Sequence, residues 1–228
     1  MRIIGILAGT VAAALAAGPA LAHDPASHAV TRIEGPADDY VYQLAPPGSY
    51  ALPRIKPAAV LGLLDESGAP VDLKAVFAGR LTLLSFMYTR CGDACPLAAL
   101  RLADLQRLAS EEPALAQRVQ IVSLSFDPDY DTPTVMAEYG EMMRLPDVAA
   151  PRWLFLTAPD SESLAPLLAA YDQPVARAAA DSVSGPFSHL LRAFLIDAKG
   201  DIRNIYSADF LDPRLLLNDL KTLSMEGS

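Results

Sequence analysis

The chain has 228 residues, 52% of them apolar, with 18 basic and 27 acidic side chains and a formal net charge of −9 at pH 7. That length supports a core of ordinary size. An acidic balance with no basic stripe excludes a nucleic-acid partner, since nothing neutralises phosphates, and disfavours loose binding to an anionic membrane.

Arg2 is followed by the uncharged run Ile3 to Ala22, ending in the small-x-small pattern Ala20-Leu21-Ala22. This reads as an export signal over residues 1–22, cleaved near Ala22 and directing the chain to the periplasm. The alternative is a retained anchor in the inner membrane, with the remaining chain on the periplasmic side. Residues 23–54 form an arm rich in Pro, Gly, Ala and Asp. It carries His23 and His28, which read as ordinary tail histidines.

Folded elements begin near Ala59. Val60 to Leu64 with the turn Asp65-Glu66-Ser67-Gly68 predicts a strand and its reversal. Lys74 to Gly79 predicts a short helical turn. Leu81 to Tyr88 is an uninterrupted apolar run suited to a central strand covered on both faces. Pro96 opens a helix in which Leu97, Leu100, Leu105 and Leu108 can share one broad face. Val119 to Phe126 is the next strand, and Asp131-Thr132-Pro133 opens a helix reaching about Met143. Trp153 to Thr157 is a short strand, and Asp160 or Ser161 caps a helix to about Tyr171. Leu190 to Asp197 and Ile202 to Tyr206 predict a hairpin about Ala198-Lys199-Gly200-Asp201. The last helix starts at Asp212-Pro213 and buries Leu215, Leu216, Leu217, Leu220 and Leu223. Strand–helix alternation followed by a hairpin predicts an α/β fold, a mixed central sheet with helices on both faces. No glycine-rich phosphate loop is present.

The chemistry converges on the two cysteines of the chain, Cys91 and Cys95, and on His189. The cysteines lie between an apolar strand and a proline-opened helix, the edge where open α/β sheets place reactive groups. A helix N-terminus lowers thiol pKa, so at least one of the two is expected to be acidified. If the segment coils, positions i and i+4 turn both sulfurs to one side. Two thiolates and an imidazole suit Cu(I), which accepts soft sulfur and low coordination number; Cu(II) would recruit an oxygen donor such as water or Asp93. Zinc usually takes four ligands. Alternatively, the thiols cycle as a redox pair. A purely structural disulfide would close a very short loop and restrain the unfolded chain little. Asp127, Asp129 and Asp131 read as strand-exit and cap residues, because they lack the glycine and glutamate of a calcium loop. Met87, Met142 and Met143 read as packing residues.

The segment Ser85 to Pro96 resembles the copper-site segment of the SCO/SenC family. Ser123 to Pro133, the tryptophan strand Trp153 to Thr157, and His189 with the hairpin Phe194 to Gly200 resemble its other parts in the same order. The likeness covers roughly 55–224. It implies a thioredoxin-like domain there, with copper held by Cys91, Cys95 and His189. It further implies delivery of copper to the CuA centre of cytochrome c oxidase or another cuproprotein, with a donor chaperone upstream. Alternatives are a thiol–disulfide oxidoreductase that keeps a client's ligand cysteines reduced, which would make Cys91 and Cys95 catalytic, and a noncatalytic copper or redox sensor. Three positions depart from the family pattern. Gly92 stands where proline is usual, and Ser188 and Leu190 replace the aspartate and serine that usually flank the histidine.

Overall fold

The computed structural model describes residues 42–92, 94–146, 149–179, 182 and 185–226. The proposed leader, His23, His28 and Asp93 lie outside them. Among the described residues no helix is long and apolar enough to cross a membrane.

The chain enters through β1 (Lys56–Pro57) and the antiparallel pair β2 (Gly62–Leu64) and β3 (Pro70–Asp72). Asp65 closes the turn between that pair by accepting from the backbone N–H groups of Ser67 and Ala69. Asp72 then caps α1 (Leu73–Phe77), which gives way at Gly79, where φ is +75°, a conformation costly for any residue with a Cβ. All seven residues of β4 (Leu81–Met87) are buried, as the uninterrupted apolar run predicts.

There follow α2 (Ala94–Ser110), α3 (Pro113–Ala116), and β5 (Val119–Ser125), which is likewise wholly buried. Thr132 caps α4 (Pro133–Met143), β6 spans Arg152–Leu156, and Asp160 caps α5 (Ser161–Ala170). The short hairpin β7 (Val175–Arg177) and β8 (Phe187–His189) was not expected from the sequence. β9 (Arg192–Ile196), β10 (Asp201–Ser207) and α6 (Pro213–Glu226) complete the order.

The six-stranded sheet runs β1-β10-β9-β4-β5-β6. β4, β5 and β6 are parallel, from Leu81↔Val119 to Met87↔Ser125 across the central pair. β9, β10 and β1 add antiparallel strands on the other side. This mixed sheet flanked by helices is the thioredoxin-like arrangement. Parallel order puts the C-terminal ends of β4 and β5 side by side, so the cysteine loop leaves the sheet beside Phe126. Several polar groups inside the sheet are paired: the Gln120 amide nitrogen donates to the Val76 carbonyl and the Thr82 hydroxyl, and the Trp153 indole to Ser123.

Two expected faces are corrected. Leu97 and Leu100 are 48% and 58% exposed. The buried face of α2 instead follows Cys95, Ala98, Leu102, Leu105 and Ala109, and the helix packs against α6. On α6, Leu216, Leu220 and Leu223 are buried but Leu215 and Leu217 only partly, whereas Asn218, Asp219 and Thr222 are buried. Residues 42–54 of the arm supply the reason. Tyr50 donates to Asp219 (2.5 Å), Asn218 to the Ala45 carbonyl (2.8 Å) and the Gly48 N–H to Thr222 (3.1 Å), while Leu52 joins the core.

Candidate metal centre

The cysteine loop starts where β4 runs out of sheet partners. Asp131, wholly buried, accepts from the Thr89 N–H (3.0 Å), the Thr89 hydroxyl and the Ser125 hydroxyl (2.5 Å), fastening the exit of β4 to that of β5. Arg90 pairs with buried Asp127 at 2.6 Å, and its guanidinium lies 4.1 Å from the centroid of Tyr130. The carboxylates expected to end strands and begin a helix thus hold the loop in place.

The chain then turns, the Cys91 N–H meeting the Tyr88 carbonyl, and enters α2. The Cys91 sulfur accepts the Cys95 N–H at 3.4 Å, taking the place of a helix cap. Cys91 is 9% exposed and Cys95 2%, and both are free thiols.

His189 closes β8 opposite Val175. Its Nε2 is 3.4 Å from Cys95 Sγ, and its Nδ1 is 3.3 Å from the Leu190 carbonyl. A carbonyl only accepts, so the tautomer with its proton on Nδ1 would satisfy this contact and leave the Nε2 lone pair facing Cys95. The ring packs 4.8 Å from Phe126 and 5.8 Å from Tyr88, centroid to centroid. The hairpin comes this close because residue 185 is glycine: with φ +106°, a Cβ there would stand 2.7 Å from the Tyr88 hydroxyl and 2.8 Å from the Arg90 carbonyl. The Tyr88 hydroxyl in turn donates to the Phe187 carbonyl at 3.1 Å.

One ligand atom from each of Cys91, Cys95 and His189 lies within 4.8 Å of the others. The cluster can therefore hold one metal ion. Burial lowers the His189 pKa, which keeps the imidazole neutral and available as a ligand. The expected acidification fails at Cys95, whose pKa moves up because burial, followed by its hydrogen bond with Cys91, outweighs the lowering by the Tyr88 backbone. The Tyr88 hydroxyl is likewise pushed up to about 12, first by burial and then by Cys91. A bound cation reverses this balance, since a coordinating thiol gives up its proton.

Met87 is buried, Met142 is 71% exposed and Met143 packs on the core. Sequence reasoning missed Phe126 as the ring under the imidazole, Phe187 packed against Phe126, and Gln173, which donates to the Leu190 carbonyl. The only signal for the hairpin was Gly185-Pro186 ahead of Phe187.

The SCO1/SenC family model matches residues 60–224. The chain belongs to the SCO1/SenC family. It is 40% identical over 77 residues to the mitochondrial protein SCO2 homolog of Bos taurus; the match spans 34% of this chain and 28% of that relative. The fold is similar to that of copper-bound ScoI from Arabidopsis thaliana, with a TM-score of 0.64 and 20% identity over 74% of this chain and 98% of that one. It is also similar to a SCO1/SenC family lipoprotein from Bacillus anthracis str. Ames, with a TM-score of 0.63 and 25% identity over 74% and 95% of the two chains.

Proposed function

We propose that this protein is a periplasmic copper-handling factor that carries copper to the CuA centre of cytochrome c oxidase or to another cuproprotein. The supporting observation is the convergence of the Cys91, Cys95 and His189 ligand atoms to within 4.8 Å, with Nε2 3.4 Å from the Cys95 sulfur. Two thiolates and a neutral imidazole around Cu(I) leave a net charge of −1, easier to bury than two bare thiolates, and the soft sulfurs favour copper in its lower state. The family relationship supports the same cargo, and the leader-like segment supports export.

The test is anaerobic titration of the mature protein with Cu(I), followed by mixing with an oxidase CuA domain while metal and thiols are both followed. One Cu(I) per chain, lost in Cys91→Ser and Cys95→Ser and passed to the CuA domain, is the expected result. X-ray absorption without sulfur ligation would remove copper from this site.

A second reading is favoured by the two free thiols and their unequal burial. Cys91, the more accessible, attacks a client disulfide as the thiolate and forms a mixed disulfide, releasing one client thiolate. Cys95 loses its proton and displaces the second client thiolate. The client gains two electrons and this chain is left with a Cys91–Cys95 disulfide. Trapping with Cys95→Ser tests this: no mixed disulfide with an oxidised CuA domain eliminates it.

A further inference from the structure

The Leu190 carbonyl faces two side-chain nitrogens at once, His189 Nδ1 at 3.3 Å and the Gln173 amide, which donates to it. Gln173 is anchored to do this. Asp172 ends α5 in the left-handed region at φ +49°, and the Gln173 N–H reaches back to the Leu168 carbonyl at 2.9 Å, closing the helix in a Schellman-type turn. The Gln173 side chain therefore extends from a fixed backbone and is only 3% exposed.

Its amide orientation is dictated as well, because the reverse flip would set its oxygen against the Leu190 oxygen. In this orientation Gln173 Oε1 is buried with no hydrogen-bond partner among the described residues. An unmet buried acceptor is a cost to the fold. Methionine, of similar length and apolar, would avoid it, so packing alone does not account for an amide here.

We propose, building on the three-ligand reading above, that Gln173 is a positioning residue for His189. Its amide holds the Leu190 carbonyl in line with His189 Nδ1, and that carbonyl keeps the imidazole proton on Nδ1. The lone pair of Nε2 therefore points at Cys95 before any metal arrives. The resulting line of contacts is Cys95 Sγ, His189 Nε2, His189 Nδ1–H, Leu190 carbonyl, Gln173 amide. It joins the metal ligands to the C-terminal end of α5.

The test compares the wild-type protein with Gln173→Met, using 15N resonances of the histidine ring in reduced, metal-free protein well above the imidazole titration range. Wild-type His189 is expected to carry its proton on Nδ1, and Gln173→Met to give a mixture of tautomers with the circular dichroism unchanged. Cu(I) affinity, measured separately, is expected to fall by about tenfold to a hundredfold, the usual loss when an outer-shell partner of a ligand is removed. An unchanged tautomer in folded Gln173→Met would overturn the proposal. So would a wild-type ring protonated on Nε2, a result that does not depend on any variant folding. The tautomer is read without copper, so a failure of copper binding would count against the proposed function and leave this measurement standing.

Discussion

His189 carries the sharpest residue-level expectation, because two sulfurs remain when it is removed. His189→Ala should keep its fold and its capacity for a Cys91–Cys95 disulfide, hold Cu(I) weakly, and lose Cu(II) more severely, since imidazole is the better match for the harder ion. Paired titrations with both oxidation states check this, and equal affinities in variant and wild type would take the imidazole out of the site. The pH dependence follows from Cys95. Burial holds its thiol protonated above the ordinary range, so metal uptake must expel that proton. Cu(I) affinity should therefore rise with pH, by about tenfold per unit for one proton released. Competition against a Cu(I) chelator at several pH values between neutral and mildly alkaline reads the slope, and a flat profile contradicts it. For the metal-free fold the sign at His189 is opposite to that of a paired histidine. Its pKa is lowered from 6.5, so the folded chain binds fewer protons than the unfolded one just below that pH. Its contribution to stability is whole above about pH 6.5 and is lost as pH falls through the lowered value.

Elements bring these residues together, and here sequence and structure part in instructive ways. The two loops of the site meet through Gly185, so Gly185→Ala should push the hairpin away from Tyr88 and Arg90 and weaken metal binding while leaving both thiols titratable; thiol counting beside a copper titration separates the two effects. Asp131 joins the exits of β4 and β5, and Asp131→Ala strands buried donors, costing about 2–4 kcal/mol in denaturant unfolding. On α2, Leu105→Ala should cost about 2–5 kcal/mol, whereas Leu100→Ala stays within about 0.5 kcal/mol because that side chain is exposed. The central strands were legible because β4 and β5 are short, largely apolar segments bounded by polar or turn residues, and the capped helices because Thr132-Pro133 and Asp160 mark their starts. The face of α2 was not, since its leucines spread around the helix. Cys91 and Cys95 were legible from spacing. Their pairing with His189 rested on likeness, because nothing local to residue 189 reports a neighbour 94 positions away. Gln173 gave no signal, a glutamine between a helix and a proline being ordinary.

At the scale of the molecule, the arm and α6 act together. Asp219 accepts from Tyr50, Tyr206 and Asn204, and Tyr42 reaches Asp212, so a chain beginning at residue 55 exposes buried carboxylates as well as losing Leu52. Such a truncation should lower the melting temperature markedly, Leu52 alone accounting for about 2 kcal/mol; unchanged melting would mean that these contacts contribute nothing. The distance along the chain between the cysteine loop and β8 has a consequence of another kind. A disulfide between Cys91 and Cys95 would close a loop of about five residues and remove only about 2 kcal/mol of unfolded-state entropy in the chain-closure model. A metal bridging Cys95 and His189 ties together points 94 residues apart, and a cross-link of that span removes about 4–5 kcal/mol of unfolded-state entropy in the chain-closure model. On the two proposed readings, the same pair of thiols would serve either as part of a staple across the domain or as a knot confined to one turn. Calorimetry should find the loaded protein hardest to melt and the oxidised form between it and the reduced metal-free form.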